Sequence, residues 1–406
     1  MSLPKWSSLL FVLTLSAADT RPRLIVLTDI SSLTAGVREP DDGQSLIRLL
    51  LFSNDIHLEG LIASSNMGHG QVVRPELIHQ AIDAYAEVYP NLQRHDKLYP
   101  QPEYLHSIVK PGQPIAGPGM PPEQSLTGDT EASRFLRGRI IAADRRPLWV
   151  AIWGGSADLA QALNGLRDHP SLNKVRVHAI GDQDSTGPWI KAQYPSLFYI
   201  TRSFAIRGMY RGGDTALVSP DWVETNIRNG HGPLGALYPN YDGGDIWWRR
   251  LGRVRGIKEG DTPSFLNLIP NGLDSMDGWG GRIVPVPAQA NRYEDAIDPH
   301  DRFTDDPDPR MYGVYRWREA FQNEFAARLD WCVRAPSEAN HAPVVRVRRH
   351  FGRIDASSST DPDGHALTFR WSDGVTNARR FSSPDPLVLT VTDNGTPPLS
   401  RYARIP

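Results

Sequence analysis

Short, largely apolar runs alternate with longer amphipathic ones through the first half of the chain, and this pattern limits the fold more than anything else in the sequence. LIVL (24–27), HLEGLIA (57–63), PLWVAIW (147–153) and VRVHAI read as strands. SLIRLLLF (45–52), PELIHQAIDAYAEVY (75–89) and SADLAQALNGL read as helices. Strands built on such apolar runs are buried on both faces, and helices between them make βαβ units around a parallel sheet. The fold class expected is therefore α/β. Farther on, VYRWREAFQNEFAARLDW (314–331) places Val314, Trp317, Phe321, Phe325 and Leu329 on one face, as a helix docked on the core would.

Polar residues cluster directly after these strands: Thr28-Asp29, Ser64-Ser65-Asn66, Gly154-Gly155-Ser156 and Gly181-Asp182-Gln183-Asp184. Ligands of open α/β sheets bind at the carboxyl ends of the strands, so these four loops are expected to converge on one site. Past Cys332, APSEANHAPVV reads as a linker. The segments after it alternate in strand fashion between Asp/Gly/Pro turns, which predicts a small antiparallel β-sandwich over 341–406, short for a complete one. The principal domain is then 21–335.

The 44 basic and 46 acidic residues nearly cancel and form no long cationic run, so nucleic acid is not an expected partner. Residues 1–18 carry Lys5, the apolar stretch LLFVLTL and small residues at 16–18, the pattern of a cleaved export signal. No later apolar run is long enough to span a bilayer, so a secreted or periplasmic location is expected and no membrane partner. The single Cys332 cannot form an internal disulfide and is expected to fill core.

Asp29 at a strand end, and Asp41-Asp42 side by side at the next helix start, crowd negative charge in a way that a helix N-terminus alone does not require. A hard cation taking oxygen ligands would explain all three, which points to calcium. Other chemistries fit less well. In Gly154-Gly155-Ser156-Ala157-Asp158 the final Gly of a nucleophile elbow is replaced by Asp158, so Ser156 reads as an N-cap; no G-x-G-x-x-G follows the first strand.

The stretches REPDDGQSLIRLLLFSNDIHLEGLIASS, DQDSTGPWIKAQYPSLFYI, NIRNGHGPLGALYP, EGDTPSFLNLIPNGL and GWGGR resemble the calcium-dependent nucleoside hydrolases of the inosine-uridine-preferring superfamily. They are closer still to the secreted nucleoside hydrolase-like proteins with a C-terminal Ig/PKD-like module that are often labelled cellulose-binding. The resemblance implies a mostly parallel sheet flanked by helices and a Ca2+ cofactor. It implies that Asp29 is metal ligand and activator of the attacking water, that Asp42 is a bidentate ligand, and that Asp41 binds sugar hydroxyls. The Trp153 carbonyl falls at a main-chain ligand position, and Asn66 near a second-strand Asn of the family. Asp261 of GDTP is the candidate late metal-binding Asp, with Asp274 and Asp277 as rivals. Two departures stand out: the insertion SSLTAGVREP separates Asp29 from Asp41, and Gly260 occupies the place of a His before the late Asp.

The reaction expected is hydrolysis of a glycosidic or N-glycosidic bond of a nucleoside or saccharide by a metal-activated water. Asp184, His69 and His231 are candidates for the leaving-group acid, with Asp184 first as catalytic residue and His231 also assigned to substrate binding. Trp189, Trp247, Trp248 and Trp279 lie in loop-like segments where they could stack on sugar rings or simply pack, Trp279 being placed in the substrate site. The alternative is a non-catalytic secreted protein that binds polysaccharide on the same scaffold.

Overall fold

The computed structural model describes residues 19–33, 40–65, 72–114, 121–244, 252–297, 309–383 and 385–406. Strand β1 (Arg23–Thr28) is third from one edge of a nine-stranded sheet, paired in parallel with β2 (His57–Ala63) on one side and β4 (Leu148–Ile152) on the other. Beyond β2 lies β3 (Val109–Pro111); beyond β4 follow β5 (Val175–Ile180) and β6 (Phe198–Arg202), all parallel. The strand Arg292–Asp295 continues the parallel order. Gly281–Pro285 and Asp277–Gly278 close that edge antiparallel. The chain reverses its direction of travel across the sheet between β1 and β4, and that switch point is where a ligand crevice opens.

Why β1 is apolar from Leu24 to Leu27 is clear from its two sides. Leu24 and Val26 enter one core with Leu46, Ile47 and Leu50 of α1 (Asp41–Leu51) and Ile78 and Ile82 of α2 (Pro75–His95). Ile25 and Leu27 enter the opposite core with Leu136, Ile140, Leu159 and Leu163. Truncating any one of these to Ala costs about 2–5 kcal/mol.

Helix α1 is buried from Asp42 to Leu51, polar residues included, and those polar residues decide what lies beside it. Gln44 donates to the carbonyls of Pro239 (2.7 Å) and Gly256 (3.0 Å) and accepts from the Lys258 amide (2.7 Å). Arg48 forms a two-pronged pair with Glu259, and Thr262 shares a hydrogen bond with Ser45 (2.9 Å). Buried polar groups need partners, so α1 fastens the segment from Gly256 to Thr262 along its flank. Asp261 is thereby delivered to the helix start.

The helix expected over 314–331 forms as two pieces, Tyr312–Tyr315 and Arg318–Asp330. The break places the buried Arg318 guanidinium on the carbonyls of Gly208 and Arg211, both at 2.6 Å. Of the five residues predicted to share its face, Val314, Phe321, Phe325 and Leu329 are fully buried and Trp317 half-buried. Cys332 is a buried free thiol.

The C-terminal residues form two three-stranded antiparallel sheets around a small core that includes Ile354, Trp371, Leu389 and Val391. The edge strand Ser400–Ile405 joins them to the α/β body. Arg401 pairs with Glu324 at 2.8 and 3.0 Å, and the Tyr402 amide donates to the Asn271 carbonyl at 2.8 Å. Gly272 has φ +95°, and a Cβ there would come within 1.9 Å of the Tyr402 carbonyl oxygen, so only glycine permits this approach. Among the described residues no helix is long and apolar enough to cross a membrane.

Candidate functional site

The site is built at the carboxyl end of β1. Thr28 donates its hydroxyl to Asp42 and accepts from the Ile30 amide (3.1 Å), which ties the strand end to the first turn of α1. Asp29 follows, packed so closely on Gly154 that a Cβ there would meet its carboxyl carbon at 2.5 Å. Asp41 and Asp42 occupy the first turn of α1 with Pro40 before them, where the helix N-terminus favours negative charge. The ammonium of the buried Lys258 stands 3.0 Å from Asp41 Oδ2.

One carboxyl oxygen each of Asp41, Asp42 and Asp261 lie within 4.8 Å of one another, and Asp29 lines the same cavity. Four carboxyls and the Lys258 ammonium therefore share one small region. Burial, and then the charges of Asp42, Asp41 and Asp29, push the Asp261 carboxyl well above its ordinary range, opposed only by Lys258. Its Oδ2 is buried and has no hydrogen-bond partner among the described residues. A buried acceptor without a donor costs about 1–3 kcal/mol, and a hard divalent cation is the partner this oxygen-only donor set fits.

The cavity has a volume of about 220 Å³, room for one small molecule. Gln183, Arg202, Arg207 and Tyr210 also line it, with Trp153 and Ile206 as apolar surface. Arg202 is anchored by Asp295 and the Gly280 carbonyl (2.9 Å), and Arg207 donates to the Ser203 carbonyl (2.5 Å). These cationic residues and Lys258 were not expected from sequence. Arg202 ends β6, a strand that the apolar periodicity did not separate from the loops after it, and Lys258 stands three residues before Asp261 in a segment without periodicity.

Several expected site residues have other placements. Asp184 does not line the cavity. Its carboxylate accepts from the Ser156 amide (3.0 Å) and hydroxyl (3.2 Å) and from the Thr186 amide (2.9 Å) and hydroxyl (2.5 Å). With four donors trained on it, Asp184 ties two loops together and is not placed as a proton donor. Ser156 stands at the N-cap position, but its hydroxyl serves Asp184 and Thr186 instead of the helix. His231 pairs with Asp330 at 3.3 Å, away from the cavity lining. Trp279 is fully buried, its indole NH donating to the Tyr402 hydroxyl (3.3 Å), so it packs between the two parts of the chain and offers no stacking surface. Trp189 is half-buried against the second core.

The Trp153 carbonyl accepts from the Gln183 side-chain amide beside the cavity. Asp274 and Asp277 lie outside the acidic group, Asp277 paired with Arg316 (2.5 Å) and Asp274 near Arg404 (3.6 Å), which leaves Asp261 as the late Asp of the site. Asn66, His69, Trp247, Trp248 and the N-terminal segment 1–18 lie outside the described residues.

A family model described as "Cellulose-binding Sde182, nucleoside hydrolase-like domain" matches residues 23–283. Among solved structures the chain is similar to a nucleoside hydrolase-related hypothetical protein from Saccharophagus degradans, described as associated with carbohydrate metabolism. The two are 28% identical, the match covers 95% of this chain and 98% of that one, and the TM-score is 0.74. Two effector proteins are more distant: XOO4466, with 13% identity, 78% and 95% coverage and a TM-score of 0.42, and XopQ complexed with adenosine diphosphate ribose, with 12%, 78% and 94%, and 0.43. No curated protein matches the chain.

Proposed function

Because the chain belongs to the family described as cellulose-binding Sde182, nucleoside hydrolase-like domain, we propose that it is an exported, calcium-dependent hydrolase that cleaves a glycosyl bond of a small nucleoside or saccharide. The observation that carries this reading is the convergence of Asp41, Asp42 and Asp261 around one point, with a buried oxygen of Asp261 lacking a hydrogen-bond donor. Asp42 and Asp261 would hold the cation together with Asp29 and the Trp153 carbonyl. When bound, calcium supplies Lewis acidity and lowers the pKa of a water in contact with it.

The chain's own residues do the rest. Glycosyl cleavage passes through an oxocarbenium-like state, which the carboxylates around the cavity stabilise. Asp29 accepts the proton of the attacking water. Asp41, oriented by Lys258, binds sugar hydroxyls, and Gln183, Arg207 and Tyr210 of the cavity lining hold the remainder of the small molecule.

The experiment is a panel of nucleosides and short glycosides assayed for free base or reducing sugar. Turnover that disappears with chelator, returns with calcium and falls about 10²–10⁴-fold in Asp29→Asn supports the hydrolase. Turnover indifferent to both overturns it. A second reading, carbohydrate binding without turnover, is favoured by one observation: no histidine is among the described residues lining the cavity, and Gly260 precedes Asp261. Calcium-dependent sugar binding with no product from the panel would select it.

A further inference from the structure

Outside the acidic cavity, a second set of ligand-type side chains gathers in the turn Asp361-Pro362-Asp363-Gly364-His365, between the bridge of Thr360 with Val344 and the strand Leu367–Trp371. Pro362 and Gly364 suit a tight turn, and Gly364 takes a left-handed φ of +81°, which brings the chain round so that His365 faces Asp361. One ligand atom each of Asp361, Asp363 and His365 lie within 4.8 Å of one another. We propose that this turn binds a divalent cation of the zinc class, held by Asp361, Asp363 and His365.

Turn formation accounts for only part of the arrangement. Asp361 Oδ1 accepts from the amides of Asp363 (2.9 Å) and His365 (3.0 Å), as an Asp that opens a turn commonly does. Its other oxygen takes no part in this. The Asp361 side chain is only 1% exposed, yet its Oδ2 is buried without a hydrogen-bond partner among the described residues. The same is true of His365 Nδ1, which stands 3.5 Å from Asp361 Oδ1 and does not bond to it. A buried polar atom left without a partner costs about 1–3 kcal/mol. Both atoms belong to the one group in this part of the chain that can close on an ion, and a single cation satisfies both through their lone pairs.

The third ligand is oriented from outside. His341, in the linker, donates its amide (2.7 Å) and its Nδ1–H (3.0 Å) to the Asp363 carboxylate, and its Nε2 meets Nδ1 of His95, on α2, at 2.9 Å. Outer contacts of this kind fix metal-binding carboxylates. The class of ion follows from the donor set. The acidic cavity offers oxygen alone, which suits calcium; here a ring nitrogen joins two carboxylates, which suits zinc and its neighbours. Zinc binds such ligands in four-coordinate geometry, so three side chains leave one place for water.

The test is calorimetric titration of zinc chloride into the metal-free full chain carrying Asp42→Asn and Asp261→Asn, which takes the acidic cavity out of the measurement. One zinc ion per chain is expected. Asp361→Asn should abolish this binding, and His365→Ala should weaken it at least tenfold, with the melting temperature of the metal-free chain unchanged in the latter. Excess calcium should not displace the ion, and cobalt(II) in its place should give a visible absorption band that His365→Ala alters. His365 is only partly buried, so its variant carries the test even where Asp361→Asn does not fold. No zinc bound, binding undiminished in His365→Ala, or displacement by calcium overturns the proposal.

Discussion

At the scale of single residues, the crowded carboxyls at the start of α1 are met by a protein cation, and under the proposed function by calcium as well. Lys258 neutralises Asp41, and its removal in Lys258→Met leaves carboxyls crowded in a buried place. In calcium-free buffer this variant is expected to lose about 3 kcal/mol, part of which calcium restores; chemical denaturation with and without the ion measures both. Asp184→Asn is expected to lower stability by about 1–3 kcal/mol, because its loop-tying hydrogen bonds weaken. Its kcat stays well above the 10²–10⁴-fold loss of a missing proton donor.

Sequence made Asp29, Asp41 and Asp42 visible because like charges at strand and helix ends are unusual, whereas Asp261 entered only through the family resemblance, with Asp274 and Asp277 as rivals. It hid Asp184's role, since an acidic loop residue looks the same whether it gives a proton or accepts four hydrogen bonds. Trp279 was similarly ambiguous: a loop-like segment allowed it either to stack on sugar or to pack, and its ring is buried against Tyr402.

At the scale of elements, β1, β2, β4, β5 and α1 were legible because burial on two faces demands largely apolar strands, and α1 follows the first of them with apolar residues at helical spacing. The loop from Gly256 to Thr262 was not legible, because its position depends on Gln44, Ser45 and Arg48, whose partners are over two hundred residues away. The join between helix Arg318–Asp330 and the C-terminal edge strand gives a pH prediction. Burial pushes the Glu324 carboxyl up, but the guanidinium groups of Arg401 and Arg328 outweigh it and hold the pKa at about 2, below its ordinary 4.5. A depressed carboxylate pKa contributes stability that is full above the ordinary value and is lost as pH falls from there through about 2. The contribution is of order 3 kcal/mol. Denaturant midpoints measured from pH 6 down to 2.5 should fall more steeply for wild type than for Glu324→Gln, and equal slopes would show that this pair does not govern acid stability.

For the whole molecule, two parts share one seam: an α/β body with an acidic cavity at its switch point, and two small sheets joined to it by hydrogen bonds of Tyr402 and Arg401. A second group of potential ligands, Asp361, Asp363 and His365, lies in the C-terminal part, so the number of cations bound must be assigned to a place. Calorimetric titration of calcium into the metal-free full chain does this most directly. The account predicts a site of one ion per chain that vanishes in Asp42→Asn and in Asp261→Asn and persists in Asp361→Asn; no binding at all, or binding that survives both cavity substitutions, would contradict it.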